Sequence, residues 1–273
     1  MADSIVVLDH AQRTVRLDSA AQRVISFMPA VTDMLLALGA QDRLIARTAF
    51  DTDARIAHLP STGNALTPSL EWVAAQKPDL VIAWPDQPSR SVVGRLSELG
   101  VPVYAAVTET NADVMKTIRD LGLLLGLETP ADSLTHAITS QLDAVRASVQ
   151  SRPRARVVYV LSIEPLMVAG PGTYIDELIA VAGGENVFSD GSARWSQVSL
   201  EELLKRTPAA IVIATDSGDA LARVRALPAW RNLAAVREGR VIGVDPNLFN
   251  RPGPAIPAAA RELARFLHPD ARL

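Results

Sequence analysis

A ten-residue phrase occurs twice in this chain, as SLEWVAAQKP at residues 69–78 and as SLEELLKRTP at residues 199–208. Both copies carry serine, leucine, glutamate and proline at the same positions, and each precedes an apolar, strand-like segment. A second pair follows the same order, with DMLLALGAQD at residues 33–42 and ELIAVAGGEN at residues 177–186. Two repeats in one order predict that the chain consists of two similar halves.

Short apolar segments alternate with helical patterns through both halves. In the first half we predict strands at residues 23–27, 43–47, 79–84 and 101–107, and helices at 29–38, 70–76, 91–99 and 112–125. The pattern restarts with a strand at residues 156–161. This alternation predicts an α/β fold whose mainly parallel sheets are covered by helices.

Residues 129–150 differ from this alternating pattern, because they form one long helical pattern with a continuous apolar stripe. The stripe consists of Leu134, Ile138, Leu142, Val145 and Val149. Thr129 is predicted to cap this helix, whose length of about 33 Å is enough to connect two lobes. The alternative is an ordinary amphipathic surface helix. We predict an N-terminal lobe at residues 20–127, a bridging helix at 128–153 and a C-terminal lobe at 154–273.

Composition removes several classes of function. The 273 residues include no cysteine, the formal net charge is −3, and the four histidines have no metal-ligand spacing. We therefore expect no metal site, no catalytic residues of a known motif and no nucleic-acid partner. The apolar runs are too short to span a bilayer, and the first residues lack the pattern of a signal peptide.

Two tryptophans stand where ligands commonly bind. Trp84 ends a predicted strand, and the carboxyl ends of parallel strands form the ligand crevices of open α/β sheets. Trp195 lies in a polar loop just before the second repeated phrase. We predict that both contact a ligand, and packing in the core or at its rim is the alternative.

The loop DPNLFNRPGP at residues 245–254 follows the last predicted strand of the second half. It places Asp245, Phe249 and Arg251 beside the same kind of crevice. A carboxylate, an aromatic ring and a cation together suit a large ligand with polar edges. The alternative is a loop stiffened by proline and glycine, in which Asp245 and Arg251 pair with each other.

The repeated glutamates are Glu71 and Glu201, and each stands two residues after a serine that can cap a helix. An acidic residue in the first helical turn gains about 0.3–1 kcal/mol from the helix dipole. The residues alone therefore leave a structural and a functional role equally open.

The chain resembles the substrate-binding proteins of ABC importers that carry cobalamin, haem and ferric siderophores. The resemblance covers almost the whole chain from Arg23 and is closest to the cobalamin-binding members. It is carried by RVISFMPAVTDMLLALGAQDRLI, SLEWVAAQKPDLVIAW, PGTYIDELIAVAGGENVF, WSQVSLEELLKRTP, PAWRNLAAVREGRV and LARFLHP, in this order.

The resemblance implies two α/β lobes joined by one long helix, and a non-enzymatic receptor outside the cytoplasm. It implies that Glu71 and Glu201 dock onto a dimeric ABC permease in the membrane. It also implies that Trp84, Trp195, Asp245 and Arg251 contact a corrinoid in a cleft between the lobes. We expect a monomer with no intrinsic cofactor, located in the periplasm or associated with the outer face of a membrane.

The chain departs from the cobalamin-binding pattern at several aromatic positions. Ala49 beside Phe50 and Gly63 stand where cobalamin binders carry aromatic residues, and two further phenylalanines are replaced by Leu161 and Met167. Phe50 and Met167 remain candidate contacts.

These departures leave a smaller corrinoid, a haem or a ferric siderophore as alternative ligands. The tyrosines that could ligate a haem iron are Tyr104, Tyr159 and Tyr174, and none stands in a context that singles it out. A cytoplasmic α/β enzyme is the remote alternative for the whole chain.

Overall fold

A computed structural model describes residues 4–63, 69–85, 89–215 and 218–272. The chain divides into two compact units. Unit 1 contains Met1–Thr108 and Ala112–Ala137, and unit 2 contains Glu109–Asn111 and Ile138–Leu273. The fold is α/β with two lobes, as the alternating pattern predicts.

Unit 1 is built around a three-stranded parallel sheet and an antiparallel hairpin. Its strands are β1 (Ile5–Leu8), β2 (Thr14–Leu17), β3 (Val24–Ser26), β4 (Leu80–Ala83) and β5 (Val103–Ala105). Its helices are α1 (Pro29–Ala37), α2 (Leu70–Ala75), α3 (Ser89–Glu98) and α4 (Asn111–Leu125). The sheet has the order β3-β4-β5, with Ser26 opposite Ile82 and Ile82 opposite Tyr104. All three strands are fully buried, as expected for a parallel sheet covered on both faces.

The predicted strand at residues 43–47 is wrong. Gln41–Arg43 forms a 3₁₀ turn, and the segment then makes one bridge from Leu44 to Val24. Arg47 pairs with Ser61 instead of continuing along β3. The apolar pattern marked a buried segment correctly, but the segment leaves the sheet after one bridge. The hairpin of β1 and β2 was not predicted.

The long helix α5 (Glu128–Val149) has 22 residues. It begins at Glu128, so the cap predicted at Thr129 is wrong. Its apolar stripe is buried at Ile138, Leu142 and Val145. Residues up to Ala137 belong to unit 1 and residues from Ile138 belong to unit 2. No helix in the described part of the chain is both long and apolar enough to cross a membrane.

Unit 2 contains a larger, mixed sheet. Its strands are β6 (Ala155–Ile163), β7 (Leu166–Ala169), β8 (Gly184–Asn186), β9 (Trp195–Gln197), β10 (Ala210–Ala214) and β11 (Val241–Val244). Its helices are α6 (Tyr174–Val181), α7 (Leu200–Arg206), α8 (Gly218–Ala226), α9 (Ala234–Arg237), α10 (Pro246–Phe249) and α11 (Ile256–Leu267). Strands β11, β10, β6 and β8 pair in parallel, whereas β7 and β9 add an antiparallel edge in the order β11-β10-β6-β7-β9.

Candidate ligand-binding and docking sites

The carboxyl edge of the unit 1 sheet carries the first group of candidate residues. Trp84 directly follows β4, at the carboxyl end of that strand. The Trp84 side chain is half-buried and packs against the apolar core of unit 1, which leaves part of the side chain exposed. Residues 86–88, which follow Trp84 in the predicted crevice loop, lie outside the described residues.

Phe50 is displayed on a tight turn held by buried polar groups. The Thr48 N–H donates to Asp51 Oδ2 at 2.6 Å, and the Phe50 N–H donates to Thr48 Oγ1 at 3.2 Å. Thr48 and Asp51 are both buried, whereas Phe50 is 56% exposed. The Ala49 N–H donates to the Gly63 carbonyl oxygen at 3.2 Å and ties the turn to the next loop. Unit 1 thus presents an exposed apolar ring on a fixed backbone.

In unit 2, Trp195 and Met167 lie on one face of the sheet. Trp195 is opposite Ala169 on the neighbouring strand, and Met167 is two residues before Ala169. Side chains two residues apart on a strand share a face, so Met167 and Trp195 are diagonal neighbours. Both side chains are half-buried. The structure thus brings together two residues that the sequence placed 28 positions apart.

A close backbone contact fixes the segment that leads into Trp195. The Gly170 N–H donates to the Arg194 carbonyl oxygen at 2.6 Å. A Cβ atom at Gly170 would lie 2.2 Å from the Ala193 carbonyl oxygen. Only glycine allows the two backbones to approach this closely.

The loop at residues 245–254 has a different organisation from the one expected. Asp245 Oδ1 accepts the Asn247 N–H at 2.8 Å and caps α10, and the Asp245 side chain is exposed. Burial and then the nearby Asp245 charge raise the pKa of the Glu262 carboxyl. Arg251 is half-buried.

Phe249 requires a correction, because its ring has no exposed surface. It stacks on Tyr159 with the ring centroids 6.3 Å apart and the planes at 17°. The ring therefore packs inside the unit and offers no face to a ligand.

Sequence reasoning missed two residues beneath this loop. The Tyr159 hydroxyl donates to Asn250 Oδ1 at 2.6 Å, and the Tyr174 hydroxyl donates to the Phe249 carbonyl oxygen. A tyrosine in an otherwise aliphatic strand, RVVYVL, is the signal that could have pointed to a buried hydroxyl with a distant partner.

The repeated glutamates are exposed, while the serines before them cap the helices. Ser69 Oγ accepts the Trp72 N–H at 3.3 Å, and Ser199 Oγ accepts the Glu202 N–H at 3.0 Å. The side chain of Glu71 is 81% exposed and that of Glu201 is 77% exposed. They pair with surface cations, Glu71 with Arg95 at 3.8 Å and Glu201 with Lys205 at 2.9 Å. Capping thus explains the serines and leaves both carboxylates at the surface.

All three tyrosines are buried and hydrogen-bonded. The Tyr104 hydroxyl donates to Asp120 Oδ2 at 2.5 Å, and those of Tyr159 and Tyr174 bind the loop described above. Burial raises the pKa of each of the three hydroxyls above its ordinary value. Across the described residues, no group of three histidine, aspartate or glutamate side chains is arranged to hold a metal ion.

Comparison with known proteins identifies the class. Residues 24–248 match the family model described as periplasmic binding protein, and the chain belongs to this family. The vitamin B12-binding protein of Salmonella typhimurium is 30% identical over 249 residues, which cover 91% of each chain. An uncharacterized ABC transporter substrate-binding lipoprotein of Bacillus subtilis, YvrC, is 28% identical over 273 residues, covering 97% of this chain and 86% of that protein.

Solved structures agree with the family assignment. The periplasmic vitamin B12 binding protein BtuF of Vibrio cholerae is 28% identical, has a TM-score of 0.79, and the match covers 90% of this chain and 96% of that one. The periplasmic haem binding protein HutB of Vibrio cholerae has a TM-score of 0.82 over 91% of this chain and 99% of that one. At 22% identity, this second likeness concerns the fold alone. The chain is thus a substrate-binding protein of an ABC importer and not an enzyme.

Proposed function

We propose that this protein captures a corrinoid outside the cytoplasm and delivers it, as a monomer, to the permease of an ABC importer. The likeness to vitamin B12-binding proteins over about nine-tenths of the chain supports this ligand class. Relatives named as periplasmic proteins or as a lipoprotein support the location.

The likeness to vitamin B12-binding proteins carries the choice of ligand, and the burial of all three tyrosines argues against a haem held by tyrosine. Haem iron is held by axial ligands from the protein, and tyrosine binds iron as a phenolate. Each tyrosine hydroxyl here donates a hydrogen bond inside its unit, and burial raises its pKa, so the neutral phenol is favoured.

Each unit, taken by itself, carries residues suited to a macrocyclic ligand. Phe50 and Trp84 of unit 1 and Trp195 and Met167 of unit 2 offer apolar surface for the macrocycle. Asp245 and Arg251 of unit 2 offer polar groups for the carboxamides around its rim. Phe249 is excluded from this set because it has no exposed surface.

Calorimetric titration with cyanocobalamin, cobinamide and haemin tests the ligand. We expect one corrinoid per chain with a dissociation constant below about 1 µM and no comparable binding of haemin. Failure of both corrinoids to bind more tightly than about 10 µM contradicts the proposal. Tight binding of haemin together with a shift of its Soret band supports the haem alternative. If only a ferric siderophore binds, the siderophore alternative is supported.

We also propose that Glu71 and Glu201 dock onto cationic residues of the permease. One such acid occurs in each unit at the same point of the repeated phrase, and both side chains are exposed. Charge complementarity at the edge of an interface mainly sets specificity and association rate. A symmetric permease dimer would match two equivalent acids.

Reversing both charges with Glu71→Lys and Glu201→Lys tests the docking role. We expect the double variant to lose transport in reconstituted vesicles and to keep its corrinoid affinity. The exposed Glu238 provides a control, and Glu238→Lys should leave transport unchanged. If the double variant instead transports normally and unfolds at a lower temperature, the two acids serve only their helices.

A further inference from the structure

Two buried tyrosines anchor the loop that carries Arg251. The Tyr159 hydroxyl reaches the Asn250 side chain, and the Tyr174 hydroxyl reaches the Phe249 backbone. These partners are the two residues immediately before Arg251. The stacked rings of Tyr159 and Phe249 add an apolar contact at the same point.

The anchors stand on regular elements of unit 2. Tyr159 lies in β6, between β10 and β7 in the sheet, and Tyr174 is the first residue of α6. A buried hydroxyl without an acceptor is unfavourable, so each tyrosine holds its partner in one place. The sheet and a helix terminus thus fix the position of the loop.

The start of α6 also holds the segment that carries Trp195. Thr173, the buried N-cap residue of α6, donates its hydroxyl to the Gly170 carbonyl oxygen at 3.0 Å. The Gly170 N–H in turn donates to the Arg194 carbonyl oxygen. One helix terminus therefore fixes both the loop before Arg251 and the strand of Trp195.

We propose that Tyr159 and Tyr174 are positioning residues that hold Arg251 where it binds the carboxamide rim of a corrinoid. This inference rests on the proposed function and deepens it. Tyr159 and Tyr174 do not touch the ligand in this account, since both are buried. They act through Asn250 and Phe249 on the direction of the arginine.

A double-mutant cycle separates positioning from general stability. Tyr159→Phe and Arg251→Ala are made singly and together, and cyanocobalamin affinity is measured by calorimetry. Each single change is expected to weaken binding about fivefold to tenfold. The double variant should bind no more weakly than Arg251→Ala alone, because a misplaced arginine and an absent arginine lose the same contact. Asn250→Ala removes the acceptor without altering the buried ring and should give the same non-additivity.

Tyr104→Phe is the matched control. Tyr104 is also fully buried and donates to a carboxylate, but it lies in unit 1, whereas the loop belongs to unit 2. We expect Tyr104→Phe to lower the unfolding temperature and to leave cyanocobalamin affinity unchanged.

The outcomes distinguish the two levels of the proposal. If the unaltered protein binds cyanocobalamin and the effects of Tyr159→Phe and Arg251→Ala multiply, the positioning role is contradicted and the proposed function stands. If the unaltered protein binds no corrinoid, the proposed function and this role both fail. Non-additivity in the cycles of Tyr159→Phe and Asn250→Ala, with an unaffected Tyr104→Phe control, supports the positioning role.

Discussion

Opposite chemistry holds two segments in place, the turn at residues 48–51 of unit 1 and the loop at residues 245–251 of unit 2. In unit 1, buried polar groups of Thr48 and Asp51 hold a turn that exposes the aromatic ring of Phe50. In unit 2, buried aromatic residues hold a loop that carries charged side chains. A repeated architecture thus supports two different contact surfaces.

The difference predicts which part of each unit determines recognition. The repeated phrase forms α2 before β4 in unit 1 and α7 before β10 in unit 2, and these elements build equivalent layers. The loops after the strands are not repeated, and they carry the candidate ligand contacts. An exposed ring contributes apolar contact area, which changes little when the ring moves slightly. The hydrogen bonds of an arginine, by contrast, depend on the direction of its N–H groups.

The largest expected effect in unit 2 comes from Gly170→Ala. The added methyl group would lie 2.2 Å from the Ala193 carbonyl oxygen, so the backbone must move. We expect unfolding free energy to fall by about 3 kcal/mol and corrinoid affinity to fall with it, because Trp195 is displaced. Urea denaturation and calorimetric titration measure the two effects.

Gly94→Ala in unit 1 provides the control for that change. Gly94 lies inside α3. Apart from its chain neighbours and the backbone of its own helix, no described heavy atom lies within 4 Å of the added Cβ atom. This change should stabilise the protein by about 0.5–1 kcal/mol and leave binding unaltered. An equal stability of Gly170→Ala and the unaltered protein would show that the contact before Trp195 is not rigid.

A smaller effect is expected in unit 1 from Asp51→Ala. The change removes the acceptor of the buried Thr48 N–H, which should cost about 2 kcal/mol of stability. Cyanocobalamin affinity should also fall, because the turn that displays Phe50 loses its internal bond. Thermal unfolding and titration measure both quantities.

Asp53→Ala is the neighbouring control. Asp53 accepts the Arg55 N–H at the surface and caps the 3₁₀ turn Ala54–Ile56. Its loss should cost about 1 kcal/mol or less and should leave ligand affinity unchanged. If the Asp51→Ala variant keeps full affinity for cyanocobalamin, ligand contact by Phe50 does not depend on the fixed turn.

The smallest effect is a pH dependence that belongs to unit 1. Burial and then the Lys116 charge lower the pKa of His10, against the opposing effect of Asp113, Asp120 and Asp9. The unfolded chain therefore binds a proton that the folded protein resists, and stability falls as the pH drops through the ordinary histidine pKa. Melting temperatures between about pH 7 and pH 5 measure this loss.

The variant His10→Gln should make that dependence shallower without changing cyanocobalamin affinity at neutral pH. His10 lies beside Thr117 and Asp113 of α4 and bonds to the end of β5, and it makes none of the hydrogen bonds given above for the turn that displays Phe50. An unchanged slope would mean that other groups carry the acid sensitivity.

Local sequence patterns predicted the layers of the fold well. The strands β3, β4, β5 and β6, the helices between them and the long helix α5 occur where apolar periodicity placed them. The segment at residues 43–47 was wrong, because a buried apolar run does not reveal whether its backbone pairs with a sheet or with the next loop.

The candidate site was predictable only in part. Trp84 follows its strand as expected, but the burial of Phe249 depends on a ring 90 positions earlier in the sequence. The hydrogen bonds from Tyr159 and Tyr174 likewise join residues separated by 91 and 75 positions. Such contacts follow from tertiary packing, which no local pattern encodes.

The most direct test of the account is whether the exposed residues of each unit contribute to corrinoid binding. Phe50→Ala removes the exposed ring of unit 1, and Arg251→Ala removes the charged group of unit 2. Calorimetry with cyanocobalamin should show one ligand per chain in each variant and an affinity about tenfold below that of the unaltered protein. Full affinity in either variant would contradict the claim that the altered residue contacts the ligand.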